Sequence, residues 1–169
     1  SPSYRYRPVF GDFLRQRLAR EPERARAVHR RACEALLGRH QVVDALRHAE
    51  QADAQLRLGE ILAEHGAALM QQGYYLLVRN QLQRLPRAVL EHYPILLMMR
   101  TRCAIYDYDM EYFSGALAEA EQWMSRLPVG IQKSMGLELD LLRAQLALKC
   151  EQWEQADRLS AKALAGLSP

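Results

Sequence analysis

"QVVDALRHA" (residues 41–49) sets a pattern that returns as "YYLLVRNQL" (74–82), "YFSGALAEA" (112–120) and "QWEQADRLS" (152–160). Each copy places an apolar or aromatic residue three positions before a small one, with a second small or apolar position four later. The triplets are Val42/Ala45/Ala49, Tyr75/Val78/Leu82, Phe113/Ala116/Ala120 and Trp153/Ala156/Ser160. Steps of three and four keep all three side chains on one face of an α-helix. The small members let a second helix approach closely, and the large leading member fills the groove beside it. Those leading residues stand 33, 38 and 40 positions apart (42 to 75, 75 to 113, 113 to 153). This is the range of helix–turn–helix repeats of the tetratricopeptide kind, and the unequal spacing predicts a degenerate set.

The rest of the chain keeps helical period. Leu58, Leu62, His65 and Leu69, then Leu96, Met99, Cys103 and Tyr106, then Ile131, Met135, Leu139, Leu142 and Leu146, recur at three and four. No run of four or more residues alternates as a half-buried strand requires. Breaks are read at Pro22, Gly38, Gly73, Pro86, Pro94, Pro128 and Gly130, giving roughly nine or ten helices of ordinary length. The expected fold is all-α: tetratricopeptide-like helical hairpins stacked into a short right-handed α-solenoid. Such repeats bury their apolar faces against neighbours and present a concave groove suited to binding.

Composition narrows the function. At 169 residues with 49% hydrophobic content the chain can bury a core. Its longest apolar run, "PILLMM" (94–99), is far short of the roughly 18 residues of a membrane span, so no membrane partner is expected. Cys33, Cys103 and Cys150 are odd in number and widely spaced, which fits reduced thiols in a cytoplasmic protein and no disulfide framework. The net charge of +3 conceals an asymmetry: residues 1–47 hold eleven arginines against five acids, and the remainder twelve basic residues against fifteen acids. Arginine outnumbers lysine twenty to three, a bias of composition as much as a sign of phosphate binding. An RNA-binding repeat would need a basic groove across several repeats, and the acids of the second half speak against it.

The front of the chain carries a resemblance. "YRYRPVFGDFLRQRL" (4–18), rich in arginine and aromatics, leads into an arm in which His29, Arg30, Arg31, Ala32, Gly38, Val43, Ala45, His48, Ala49, Ala52, Asp53, Leu62 and Gly66 fall in a recognisable order. "LQRLPRAVLEHYPILLMMRTRCAIY" (82–106) follows with Leu85, Pro86, Pro94 and Leu96 in register. Together these resemble the region after the nucleotide-binding domain of the MalT-like, LuxR-type large ATP-binding transcription regulators, over roughly residues 4–165. The resemblance implies that residues 1–21 close a winged-helix/ATPase module, that 22–92 form a helical arm, and that 93–169 begin a repeat sensor. It further implies a piece of a longer chain. ATP would bind a module before residue 1 and DNA a helix-turn-helix domain after residue 169; within this stretch there is no GxxxxGK[ST] loop and no cofactor is expected. The partners implied are the neighbouring ATPase domain, a small-molecule or protein effector, and a second copy in a self-associating active form. The competing expectation is a stand-alone tetratricopeptide-like scaffold that binds a peptide or partner protein.

Candidate binding residues cluster at two turns. "YDYDMEY" (106–112) brings Tyr106, Tyr108, Asp109 and Tyr112 together, Tyr74 and Tyr75 occupy the corresponding turn one repeat earlier, and Arg102 lies one turn before Tyr106. Rings stack on a sugar or peptide while acids and arginine hydrogen-bond it; packing of the repeat seam is the plainer role. Arg5, Arg7, Arg15 and Arg17 suit bidentate pairing with carboxylates across a domain boundary. His29 and Cys33 have metal-ligand spacing, but no second pair is near in sequence, so no metal site is expected. His40, His48, His65 and His92 are scattered and neighbour no nucleophile, so no catalytic residues are assigned and the chain is expected not to be an enzyme.

Overall fold

In a computed structural model of the chain, the described residues are 13, 16–18, 20–106, 110–127 and 129–167, the side chains of 131, 134 and 167 excepted. Among them are nine helices and no strand: α1 (Pro22–Leu37), α2 (Val42–Gln51), α3 (Gln55–Gln71), α4 (Tyr75–Arg84), α5 (Arg87–His92), α6 (Pro94–Tyr106), α7 (Met110–Met124), α8 (Val129–Lys149) and α9 (Trp153–Leu167). The fold is all-α. Proline starts helices: Pro22 and Pro94 are the first residues of α1 and α6, where the missing N–H has no helical partner to lose, and Pro86 precedes α5. Gly130, read as a break, instead falls within the first turn of α8. A first turn has free N–H groups and tolerates glycine at little cost.

The chain divides within α3 into two compact units, residues 1–61 and 62–169. In the first, α1 packs against α2. Cys33, Ala45, Leu46, Ala49, Ala52, Leu58 and Ile61 are buried there. In the second, α6 packs on α4, α5, α7 and α8, α7 on α8, and α8 on α9, an order of nearest neighbours that suits stacked hairpins. Its core runs from Val78 and Leu82 through Leu96, Leu97, Met98 and Met99 to Phe113, Ala116 and Ala120. Thr101 is fully buried on α6: its hydroxyl donates to the Leu97 carbonyl one turn back at 2.9 Å, and the Ala116 carbonyl of α7 lies 3.2 Å away. The leading residue of the fourth copy departs from its expected role. Trp153 is 64% exposed while Ala156 behind it is buried, so this ring fills no groove among the described residues.

Four turns share one geometry. His40, Asp53, Gly73 and Glu151 have positive φ of 57°, 53°, 91° and 59°. In each turn the next N–H donates five residues back, Gln41 to Leu36, Ala54 to Ala49, Tyr74 to Leu69 and Gln152 to Ala147. The positive-φ residue donates three back, as His40 does to Leu37. This is the Schellman closure of a helix end, and it turns the chain at once into the next helix. Gly38, the break read from sequence, has ordinary helical φ of −61°; the left-handed position is His40. Replacing Asp53 or Glu151 by glycine relieves the strain of a Cβ at positive φ and is expected to change stability by at most about +1 kcal/mol, whereas Gly73→Ala is expected to cost about 1 kcal/mol. Urea unfolding midpoints check both signs.

Candidate functional site

The residues read as a groove separate into two groups. In the first, Tyr75 at the start of α4 donates its hydroxyl to the Cys103 carbonyl of α6 at 2.8 Å and meets the Tyr106 ring edge-on, centroids 5.4 Å apart. Tyr106, the last residue of α6, is 61% exposed, and Tyr74 beside it is 44% exposed. Arg102 lies one turn before Tyr106 and pairs with Glu138 of α8, 36 residues away. The phenol of Tyr75 is thus committed to the backbone, while Tyr106 is exposed and the Arg102 side chain partly so.

Tyr112 belongs to the second group. It lines a hollow of about 560 Å³ with Glu111, Gly115, Ala116 and the ion pair Arg100–Glu119. Arg100 and Arg102 are two apart on α6, about 200° round the helix, so their carboxylate partners lie on different sides of it. Tyr108 and Asp109 fall outside the described residues, as do Arg5, Arg7 and Arg15. Arg17 is exposed and borders a depression with Leu18 and Val28.

In the first unit the two arm histidines meet. His29 Nδ1 of α1 and His48 Nδ1 of α2 are 2.7 Å apart, rings tilted at 34°, so one neutral ring donates to the other. Burial, and then the charge of His48, lower the pKa of His29. Cys33, one turn on, is fully buried, and burial pushes its thiol up. No cluster of three or more His, Cys, Asp or Glu side chains is placed to hold a metal among the described residues.

The pair has a pH consequence. A lowered folded pKa means the fold favours neutral His29, so its contribution is complete above about pH 6.5 and is lost as pH falls below that value. Thermal melts at pH 7.5 and 5.5 are expected to show a drop that shrinks in His48→Gln; equal drops in both proteins would contradict the pairing.

Known proteins align with nearly the whole length of the chain. It is 30% identical over 167 residues to the HTH-type transcriptional regulator MalT of Vibrio campbellii, covering 98% of the chain and 18% of that relative. It is 30% identical over 160 residues to MalT of Serratia proteamaculans, covering 94% and 18%, and 31% identical over 169 residues to MalT of Klebsiella pneumoniae, covering 97% and 18%. The chain is related to a segment of the MalT regulators. It spans 18% of the length of these curated relatives. No family model matches, and no solved structure gives a significant match. No described helix is long and apolar enough to cross a membrane.

Several residues of the MalT-like order acquire physical roles in the fold. His29 and His48 clasp α1 to α2, Ala45 and Ala49 are buried on α2, and Asp53 holds the left-handed turn into α3. Gly66 leaves room for Met99: a Cβ there would come within 2.9 Å of the Met99 sulfur. Sequence reading missed the His29–His48 contact and the Glu138 partner of Arg102. Each joins residues on different helices, 19 and 36 positions apart, and no local spacing signals it.

Proposed function

We propose that the chain is the regulatory helical segment of a MalT-like, ATP-dependent transcription activator. It couples effector binding to the state of an ATP-binding module and, through it, of a DNA-binding domain. The observation that carries this reading is the span of the similarity: 98% of the chain aligns, yet it accounts for only 18% of the MalT of Vibrio campbellii. The helical hairpins support a short right-handed solenoid whose surface offers the effector or protein contact. Tyr106, Tyr74 and Arg102 are the residues assigned to that contact, with Tyr75 positioning the Tyr106 ring. Tyr112 is assigned a separate contact beside the Arg100–Glu119 pair.

The mechanism is a two-state switch. An effector shifts it only by binding one state more tightly than the other. The Arg102–Glu138 bridge between α6 and α8 is a contact that such a ligand can compete for. Arg5, Arg7, Arg15 and Arg17 are assigned to docking against carboxylates of the ATPase module of the same chain. The segment acts in the cytoplasm, holds no cofactor, is not an enzyme, and self-associates when the regulator is active. Sequencing the parent reading frame tests the reading: a phosphate-binding GxxxxGK[ST] loop before residue 1 and a helix-turn-helix after residue 169 are expected. Absence of both overturns it in favour of an independent scaffold.

A further inference from the structure

The first unit holds a hollow of about 500 Å³ that none of the roles above uses. Its floor is apolar and made by short side chains: Cys33 of α1, Ala49 of α2, and Ala54 in the turn that leads to α3. The short residues make the concavity, since larger ones would fill it. That volume lies within the range of about 300–1,000 Å³ typical of small-molecule sites.

The rim is charged, and its charges are unequally matched. Arg57 is fixed: its Nε and Nη2 donate to the two oxygens of Glu34 at 2.9 and 2.8 Å, and its Nη1 reaches Glu60. The Glu34 and Glu60 carboxylates hold the Arg57 guanidinium above its ordinary value. Both Glu34 oxygens are therefore occupied by a rigid bidentate pair, and Arg57 has little charge to spare. Arg30 and Arg31 also line the hollow, both are exposed, and neither has a hydrogen-bond or ion-pair partner among the described residues.

An apolar floor next to two unmatched guanidinium groups is complementary to one chemistry. We infer that this hollow binds a small organic anion with an apolar body, the body seated on Cys33, Ala49 and Ala54 and the anionic head on Arg30 and Arg31. Planar guanidinium groups bind carboxylate or sulfonate oxygens in pairs, and an aromatic or aliphatic body releases water from the floor. A sugar is the wrong ligand, because the floor offers hardly any hydrogen-bonding group. The inference does not rest on the transcription reading; the site would exist in a scaffold as well.

The test uses anilinonaphthalene sulfonate, an apolar anion, and N-phenylnaphthylamine, its uncharged counterpart, added to the 169-residue chain carrying ¹³C-methyl alanine. The sulfonate is expected to bind saturably and to shift the Ala49 and Ala54 methyl signals. Arg30→Gln/Arg31→Gln, on exposed helix positions that leave the helical circular dichroism unchanged, is expected to weaken sulfonate binding on the order of tenfold or more and to leave the neutral probe within about twofold. Ala54→Phe fills the hollow from the turn and is expected to abolish the methyl shift at Ala49 with both probes. No shift at Ala49 and Ala54 under saturating sulfonate overturns the site. Equal sulfonate affinity in wild type and the double variant, or equal loss of both probes, overturns the role of the arginines.

Discussion

Phe113→Ala is expected to lower the unfolding free energy of the second unit by about 3–5 kcal/mol. The ring is fully buried on α7 and stands three residues before Ala116 and seven before Ala120 on the same face. Around a truncated Phe113 those alanines can reach no further inward, so the cavity stays open and its cost adds to the lost transfer energy. Both tryptophans, Trp123 and Trp153, lie in this unit, so fluorescence-detected urea unfolding reports it. With a slope of about 1–3 kcal/mol per molar urea, the midpoint falls by about 1 M or more. Trp153→Ala, at the matching position of the fourth copy but 64% exposed, is expected to cost less than about 0.5 kcal/mol. Similar losses in the two variants would contradict the assignment of core to one and surface to the other.

The second large effect concerns Asp140 on α8. Among the described residues it is the buried acid of the second unit: its side chain is 6% exposed, and it takes Arg143 at 2.8 Å through one oxygen and Lys162 of α9 at 2.8 Å through the other. Burial by itself pushes this carboxyl up, but the hydrogen bonds from Lys162 and Arg143 outweigh it and hold the pKa below the ordinary aspartate value. Asp140→Ala is expected to cost about 1–3 kcal/mol. That is less than for a fully buried pair, because Lys162 is 67% exposed and can turn to water, and Arg143 keeps Glu121 at 2.7 Å. A depressed folded pKa contributes stability above the unfolded value near 3.8 and loses it as pH falls through the folded value. The gap between wild type and Asp140→Ala is therefore expected to be constant from pH 7 to 5, to begin narrowing near pH 4 and to go on narrowing as pH falls through the folded value. A gap that does not narrow at all as pH falls below the unfolded value near 3.8 would show that Asp140 acts through shape and not charge.

The helices were legible because their period is local. Val42, Tyr75 and Phe113 each announced a face three and seven residues long, and the buried Ala45/Ala49, Val78/Leu82 and Ala116/Ala120 lie on those faces. What the turns need was less legible. Only Gly73 of the four left-handed positions is a glycine; His40, Asp53 and Glu151 are set there by the 6→1 hydrogen bond and not by their own preference. The groove residues were named from composition, and the fold distributes them. Tyr75 and Tyr106 meet because α4 packs on α6, whereas Tyr112 lines a different hollow with Arg100. The anion site escaped sequence reading because Cys33, Ala49 and Ala54 look like three unremarkable small residues until α1, α2 and the turn into α3 surround one space.

The regulatory reading requires that this segment control an ATP-binding module. It is tested most directly by measuring nucleotide exchange on the ATP-binding part of the parent regulator, with and without the 169-residue chain supplied in trans. The chain is expected to bind and to slow exchange, and charge reversal at Arg17 to weaken the effect. Exchange that stays unchanged at saturating chain, with the chain folded as judged by circular dichroism, would contradict it.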